Sequence, residues 1–127
     1  MNIVDSSGWI EFFVGGKNIE HFKEVIKKHD QLIVPTVILY EVCKKFLIEW
    51  NKEAALECMA FMKKGKVVDL DMELSILAAT ISKERKLAMA DSIILATARQ
   101  YNATVWTQDT DFKGLPNVKY FPKKIIT

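Results

Sequence analysis

The stretch MADSIILATA at residues 89–98, separated by four residues from ATVWT at 103–107, decides how the chain is read. Coiled into a helix, the first part is apolar on almost every side, which marks a helix buried in a core rather than one lying on a surface. The second part is a short run of strand-forming residues bounded by turn signals. A buried helix running into a buried strand is the repeating unit of an α/β fold. Asp91, at the head of the helix, is the residue that does not fit. It either caps the helix by accepting hydrogen bonds from the first free N–H groups, or is a charge anchored where several segments meet.

The same alternation extends outward in both directions. NIV (2–4) reads as a first strand, IEHFKEVIKKH (19–29) as a helix, and QLIV (31–34) as a second strand stopped by Pro35. TVILYEVCKKFLIEW (36–50) follows as a helix with Pro35 at its start. Another helix spans 52–63, with Leu56, Met59 and Ala60 at helical spacing and Lys64-Gly65 ending it. KVVDL (66–70) is a third strand. In the helix of 71–86, Leu74, Leu77, Ala78 and Ile81 fall at i, i+3, i+4 and i+7. ATVWT is the fourth strand and VKYF (118–121) a short fifth, while Gly15-Gly16 reads as a turn. The expectation is a single domain over residues 1–127.

Half of the 127 residues are apolar, enough for one core. Cys43 and Cys58 lie in helical patterns outside any CxxC or Cys/His grouping, so they read as unbridged thiols of an intracellular protein. No apolar run approaches the roughly 18 residues of a membrane span, and no basic leader precedes Asp5, which predicts a cytoplasmic protein that does not enter a membrane. The 18 basic and 16 acidic residues give a net charge of only +2. If Asp5, Glu41, Asp91 and Asp109 converge in one pocket, the remaining surface holds 18 basic against 12 acidic residues, a shell that attracts a polyanion. Taken segment by segment, the same lysines are ordinary solvated helix faces.

In an open parallel sheet, ligands bind outside the carboxyl ends of the strands. Asp5 follows the first strand, Asp109 and Asp111 follow the fourth, Asp91 heads the helix leading into the fourth, and Glu41 lies in the helix after the second. Each acid has an ordinary structural explanation. Asp5 before Ser6-Ser7 can be a cap or Asx turn, Glu41 can pair with Lys45 at i+4, and Asp109 and Asp111 can belong to a turn. Four segments delivering carboxylates to one sheet edge carry more weight together than any one of them alone.

The segments IVDSSGWIEF, PTVILYEVCKKF, MADSIILATA and VWTQDTDF, in this order, resemble the four acidic motifs of the PIN-domain ribonucleases, and the resemblance runs from residue 3 to about 121. With nothing appended, the chain looks most like the VapC-type toxins of toxin–antitoxin pairs. The resemblance implies a three-layer α/β fold, with a central, mostly parallel sheet of 4–5 strands flanked by helices. It also implies a metal-dependent endoribonuclease that cuts RNA and leaves a 5′-phosphate, a homodimer, and a small antitoxin partner. By position, Asp5, Glu41, Asp91 and Asp109 match the acidic quartet, Ser6 the hydroxyl after the first acid and Thr107 the hydroxyl before the last, with Asp111 a further candidate ligand.

Clustered carboxylates repel one another and an anionic substrate unless a cation joins them. An all-oxygen pocket suits Mg²⁺ or Mn²⁺, whereas zinc usually brings His or Cys ligands. Asp5 and Asp91 are expected as direct ligands. Glu41 and Asp109 are expected to bind the metal or orient its water, and Ser6 and Thr107 to hold the carboxylates.

Competing chemistries fare worse. His21 and His29 lie eight residues apart on one predicted helix, about 12 Å along its axis, too far to share a phosphate. His29 reads instead as a charge at that helix's C-terminus. No GxSxG elbow is present. DTDFKG (109–114) copies an EF-hand loop at three positions but puts Tyr120 where the closing glutamate belongs. The remaining alternatives are a PIN-like module that binds RNA or protein without cutting, and an RNA-processing nuclease outside any toxin–antitoxin pair. An apolar groove for an antitoxin helix would draw on Trp9, Phe12, Phe46 and Trp50, although core or dimer interface is their more ordinary place.

Overall fold

Among the described residues five short strands alternate with helices: β1 (Asn2–Val4), β2 (Leu32–Pro35), β3 (Lys66–Val68), β4 (Thr104–Thr107) and β5 (Val118–Tyr120). In the computed structural model, which describes residues 1–124, they form one sheet in the order β3-β2-β1-β4-β5. Every neighbouring pair is parallel, with Ile3 opposite Ile33 on one side and Val105 on the other. The sheet is therefore wholly parallel. Ile3, Val4, Leu32, Ile33, Val34 and Val105 are all fully buried, as strands covered on both faces require.

Among the described residues six helices supply that cover: α1 (Ser6–Val14), α2 (Ile19–Lys27), α3 (Thr36–Glu49), α4 (Lys52–Met62), α5 (Met72–Arg85) and α6 (Met89–Tyr101). The path β1→β2→β3 runs toward one sheet edge and β3→β4 turns back past β1. With right-handed crossovers, α1–α4 then cover one face and α5–α6 the other. The order reverses between β1 and β4, so the crevice of a parallel sheet opens at their carboxyl ends.

Helix α1 fills a segment the sequence pattern leaves without an element. Its apolar residues form no clean stripe, and Gly8 sits in its first turn. A Cβ there would come within 2.7 Å of Phe22 and Val4, so the glycine lets α1 lie directly against α2 and β1. Gly15, with φ +68°, ends the helix in the left-handed region as a C-cap glycine does. Trp9 is buried among Phe12, Phe13 and Phe61, with ring centroids 5.7–6.3 Å apart. Phe46 is also core and stacks on the half-exposed Trp50 at 4.9 Å. Of the four residues considered for a groove, Trp9 and Phe46 are therefore interior.

Three local expectations change. Helix α2 stops at Lys27, and His29 lies beyond it in a 3-10 turn against Phe61, so it is not a charge on the helix's last turn. The buried face of α4 is Ala55, Cys58 and Met62, while Leu56 and Ala60 face outward. Lys45 pairs with Glu49 at 2.6 Å instead of Glu41. Both cysteines are free, Cys58 buried and Cys43 partly so. Among the described residues no helix is long and apolar enough to cross a membrane.

Candidate active site

The strand ends deliver the acids as follows. Asp5 is the first residue after β1, and its backbone N–H donates to Trp106 O of neighbouring β4 at 2.9 Å, which ties the two strand ends together. Asp5 is 3 % exposed. Its Oδ2 accepts from Thr107 Oγ1 at 2.8 Å and from Ser7 Oγ at 3.0 Å. Ser6 Oγ reaches Oδ1 only at 3.5 Å. One oxygen is thus fixed by two hydroxyls and the other has spare acceptor capacity. Thr107 Oγ1 also accepts from the Asp109 N–H at 2.9 Å, so one buried hydroxyl sets both the Asp5 carboxylate and the loop that carries Asp109.

Asp109 Oδ1 accepts from the Asp111 N–H at 2.9 Å, an Asx turn that opens a short 3-10 segment and swings Asp111 toward α6. Asp91 lies in the first turn of α6 but is not its cap. Ala88 holds that position, and the Ser92 hydroxyl donates back to Ala88 O at 2.8 Å. From Asp91 to Ala98 every residue of α6 is buried, and this packing fixes the carboxylate. Carboxylate oxygens of Asp91, Asp109 and Asp111 all lie within 4.8 Å of one another. The tightest grouping therefore includes Asp111, with Asp5 and Glu41 bordering it.

Charge repulsion shows that all five acids share one field. Burial first, and then the like charges of Asp109, Asp5 and Asp111, together push the Asp91 carboxyl up from its ordinary 3.8 to about 7. Burial also raises Asp5, with Asp109 adding to the rise and the Thr107 and Ser7 hydroxyls opposing it. Glu41, half-buried on α3, is raised by burial and then by Asp5 and Asp109, against a smaller opposing effect of the Ser6 hydroxyl. Among the described residues no cationic side chain is a cause of any of these shifts.

The family model of the PIN domain matches residues 3–118. The chain belongs to the PIN-domain family. No curated protein matches it significantly by sequence. Among solved structures the fold is similar to a toxin–antitoxin complex from Klebsiella pneumoniae, at TM-score 0.79 and 22 % identity over 98 % of this chain and 100 % of that one. It is also similar to VapC20 of Mycobacterium tuberculosis, a sarcin-ricin loop cleaving toxin, at TM-score 0.74 and 18 % identity over 91 % and 95 %. A third is DNA-bound VapBC from Salmonella typhimurium, at TM-score 0.74 and 20 % identity over 96 % and 98 %.

In this PIN domain two residues with little signal in the sequence, Ser7 and Gln108, build the site's frame. Ser7 is a closer partner of Asp5 than Ser6 is, and its hydroxyl accepts from the Gln108 N–H at 3.0 Å. The Gln108 side chain donates to Ser7 O at 3.2 Å and accepts from buried Asn18 Nδ2 at 2.7 Å. Only the doubling of serine after Asp5 hinted at this. The i+2 position sits where the first helical turn brings a hydroxyl back over the carboxylate.

Proposed function

We propose that the chain, acting as one PIN domain over residues 1–127, is a metal-dependent endoribonuclease and the toxin of a toxin–antitoxin pair. The supporting observation is that acids from four elements converge at the β1/β4 crevice, with Asp91 held near pKa 7 by burial and like charge and, among the described residues, no cation lowering it. Such a site is costly unless a cation enters it. The donor set is all oxygen, and three carboxylates already lie within 4.8 Å of one another, which fits Mg²⁺ or Mn²⁺.

Asp91, Asp109 and the free Oδ1 side of Asp5 would hold the ion, with Asp111 completing the group and Glu41 accepting a hydrogen bond from a water beside it. When bound, the ion makes a water acidic enough to attack and offsets charge on the phosphate. The chain's own contribution is positioning. Thr107 and Ser7 stop Asp5 rotating, buried α6 fixes Asp91, and the Asx turn fixes Asp109 against Asp111. Ser6, near Asp5 and Glu41, steadies the pair.

A protein partner is supported by exposed apolar residues on two surfaces, Tyr40, Ile48, Trp50 and Leu56 on α3–α4 and Met72, Ile76 and Met89 on α5–α6. A small antitoxin and a second copy of the chain are the occupants this reading requires, and the similar toxin–antitoxin complexes favour the first. Cleavage of single-stranded RNA that stops in EDTA and returns with Mn²⁺ tests the enzyme. The Asp91→Asn variant should fold and cut nothing. RNA binding without metal-dependent cleavage would leave the binding-module alternative.

A further inference from the structure

The acidic crevice is one end of a longer cleft. Its acid end, about 470 Å³, is bordered by Asp5, Ser6, Ser7, Gln108, Asp109 and Lys123. A second hollow of about 300 Å³ shares Ser7, Gln108 and Lys123 with the first and adds Lys45 and Lys124. The floor is continuous, and its charge changes sign along it. Glu11, the acid on the cationic side, has its Oε2 turned to the Asn18 N–H at 3.1 Å. Lys45 shares its charge with Glu49. Lys123 and Lys124 are exposed and supply most of the free positive charge.

These lysines belong to a segment that is bolted down. Phe121 N–H donates to Thr107 O at 2.9 Å, extending the β4–β5 pairing, and its ring stacks on His21 at 4.1 Å. Asn18, 1 % exposed, donates from one amide nitrogen to both Pro122 O at 2.9 Å and Gln108 Oε1 at 2.7 Å. The same Gln108 bonds to Ser7, which holds Asp5. One hydrogen-bond chain thus sets the acid centre and the lysine pair relative to each other.

Resting on the nuclease reading, we infer that Lys123 and Lys124, with Lys45, form a subsite for the backbone phosphates of an RNA strand next to the one being cut, and that Asn18 is the positioning residue that holds it. A strand with one phosphate at the acid end presents its next phosphates to whatever lines the adjoining cleft, and cations are the complementary lining. An acidic peptide would find the same lysines but has no group that needs the acid end.

The test is the salt dependence of single-stranded RNA binding, measured in EDTA so that it does not depend on cleavage. Losing two phosphate contacts should reduce the slope of log affinity against log salt by about 1.4. The Lys123→Ala/Lys124→Ala variant is expected to show that drop and, with Mn²⁺, a loss of cleavage falling on KM rather than kcat. Lys83→Ala, an exposed lysine of α5 that lines neither hollow, should keep the parent slope. Asn18→Asp, which keeps the shape but loses the donor to both Pro122 and Gln108, should move KM in the same direction as the lysine pair. An unchanged slope in the double variant, no RNA binding by the parent chain, or displacement of RNA by polyglutamate at equal charge concentration would each overturn the subsite. A parent chain that binds RNA with the expected slope but never cuts it would sink the nuclease reading and leave the subsite standing.

Discussion

Replacing Asp91 by asparagine should make the protein more stable while destroying its activity. Folding raises this carboxyl from 3.8 to about 7, so between roughly pH 4 and pH 7 the folded chain holds a proton that the unfolded chain has released. Stability contributed by Asp91 therefore falls as pH rises through that window and is flat above it. At about 1.4 kcal/mol per pH unit, the whole displacement would amount to about 4 kcal/mol. The carboxyl keeps some contact with water, and screening takes roughly half of this, leaving about 2 kcal/mol. In EDTA at pH 8 the variant should thus unfold about 2 kcal/mol later than the parent, a Tm higher by roughly 8 °C for a domain of this size. At pH 4 the two should coincide. Adding Mn²⁺ should reverse the order, because a cation that binds only the folded parent stabilises it by mass action. Urea or thermal unfolding at both pH values, with and without metal, measures all of this. A variant no more stable than the parent at pH 8 in EDTA would refute the idea that the site stores unrelieved charge.

Asp5 and Glu41 are raised in the same direction, so parent stability in EDTA should decline overall from pH 4 to pH 8; a rise across that range in calorimetry would contradict it. Ser7→Ala removes a hydroxyl that holds Asp5 and accepts from Gln108, and should lower metal affinity or cleavage roughly 10- to 100-fold while leaving circular dichroism intact. Ser6→Ala, whose contact with Asp5 is 3.5 Å, should cost less. Gly8→Ala forces a methyl to within 2.7 Å of Phe22 and Val4 and should destabilise by about 1–3 kcal/mol in urea titrations. Asn51→Ala deletes the cap that accepts from the Ala54 N–H at 2.8 Å and should cost about 1 kcal/mol without touching activity.

The strands and most helices were legible because their signals are local. β-Branched runs and i, i+3, i+4 spacing place β1 to β5 and α3 to α6 within a few residues of their observed bounds. Helix α1 was not, since Gly8 and the run of aromatics erase its stripe, and its stability comes from packing on α2 and β1 that no local pattern encodes. The outward face of α4 was misjudged for a related reason. Leu56 is apolar yet 54 % exposed, and burial is decided by which neighbour arrives. For the site, strand-end position brought Asp5, Glu41, Asp91, Asp109 and Asp111 to one sheet edge, and the resemblance to the PIN-domain motifs singled out all of them but Asp111. Geometry was needed to see that Asp111 joins Asp91 and Asp109, that Asp91 is not a cap, and that Ser7 and Gln108 form the frame. The Ser7–Gln108 and Asp5–Thr107 contacts join residues about a hundred positions apart, and sequence spacing says nothing about them.

The central claim is that these carboxylates form a site for a divalent cation. Anomalous diffraction from a crystal grown with Mn²⁺ tests it most directly. The account predicts a peak in the β1/β4 crevice, with Asp91 and Asp109 oxygens at coordination distance, about 2.1 Å, and Asp5 Oδ1 facing it. A fully ordered crevice without a peak, or manganese bound only elsewhere on the chain, would contradict it.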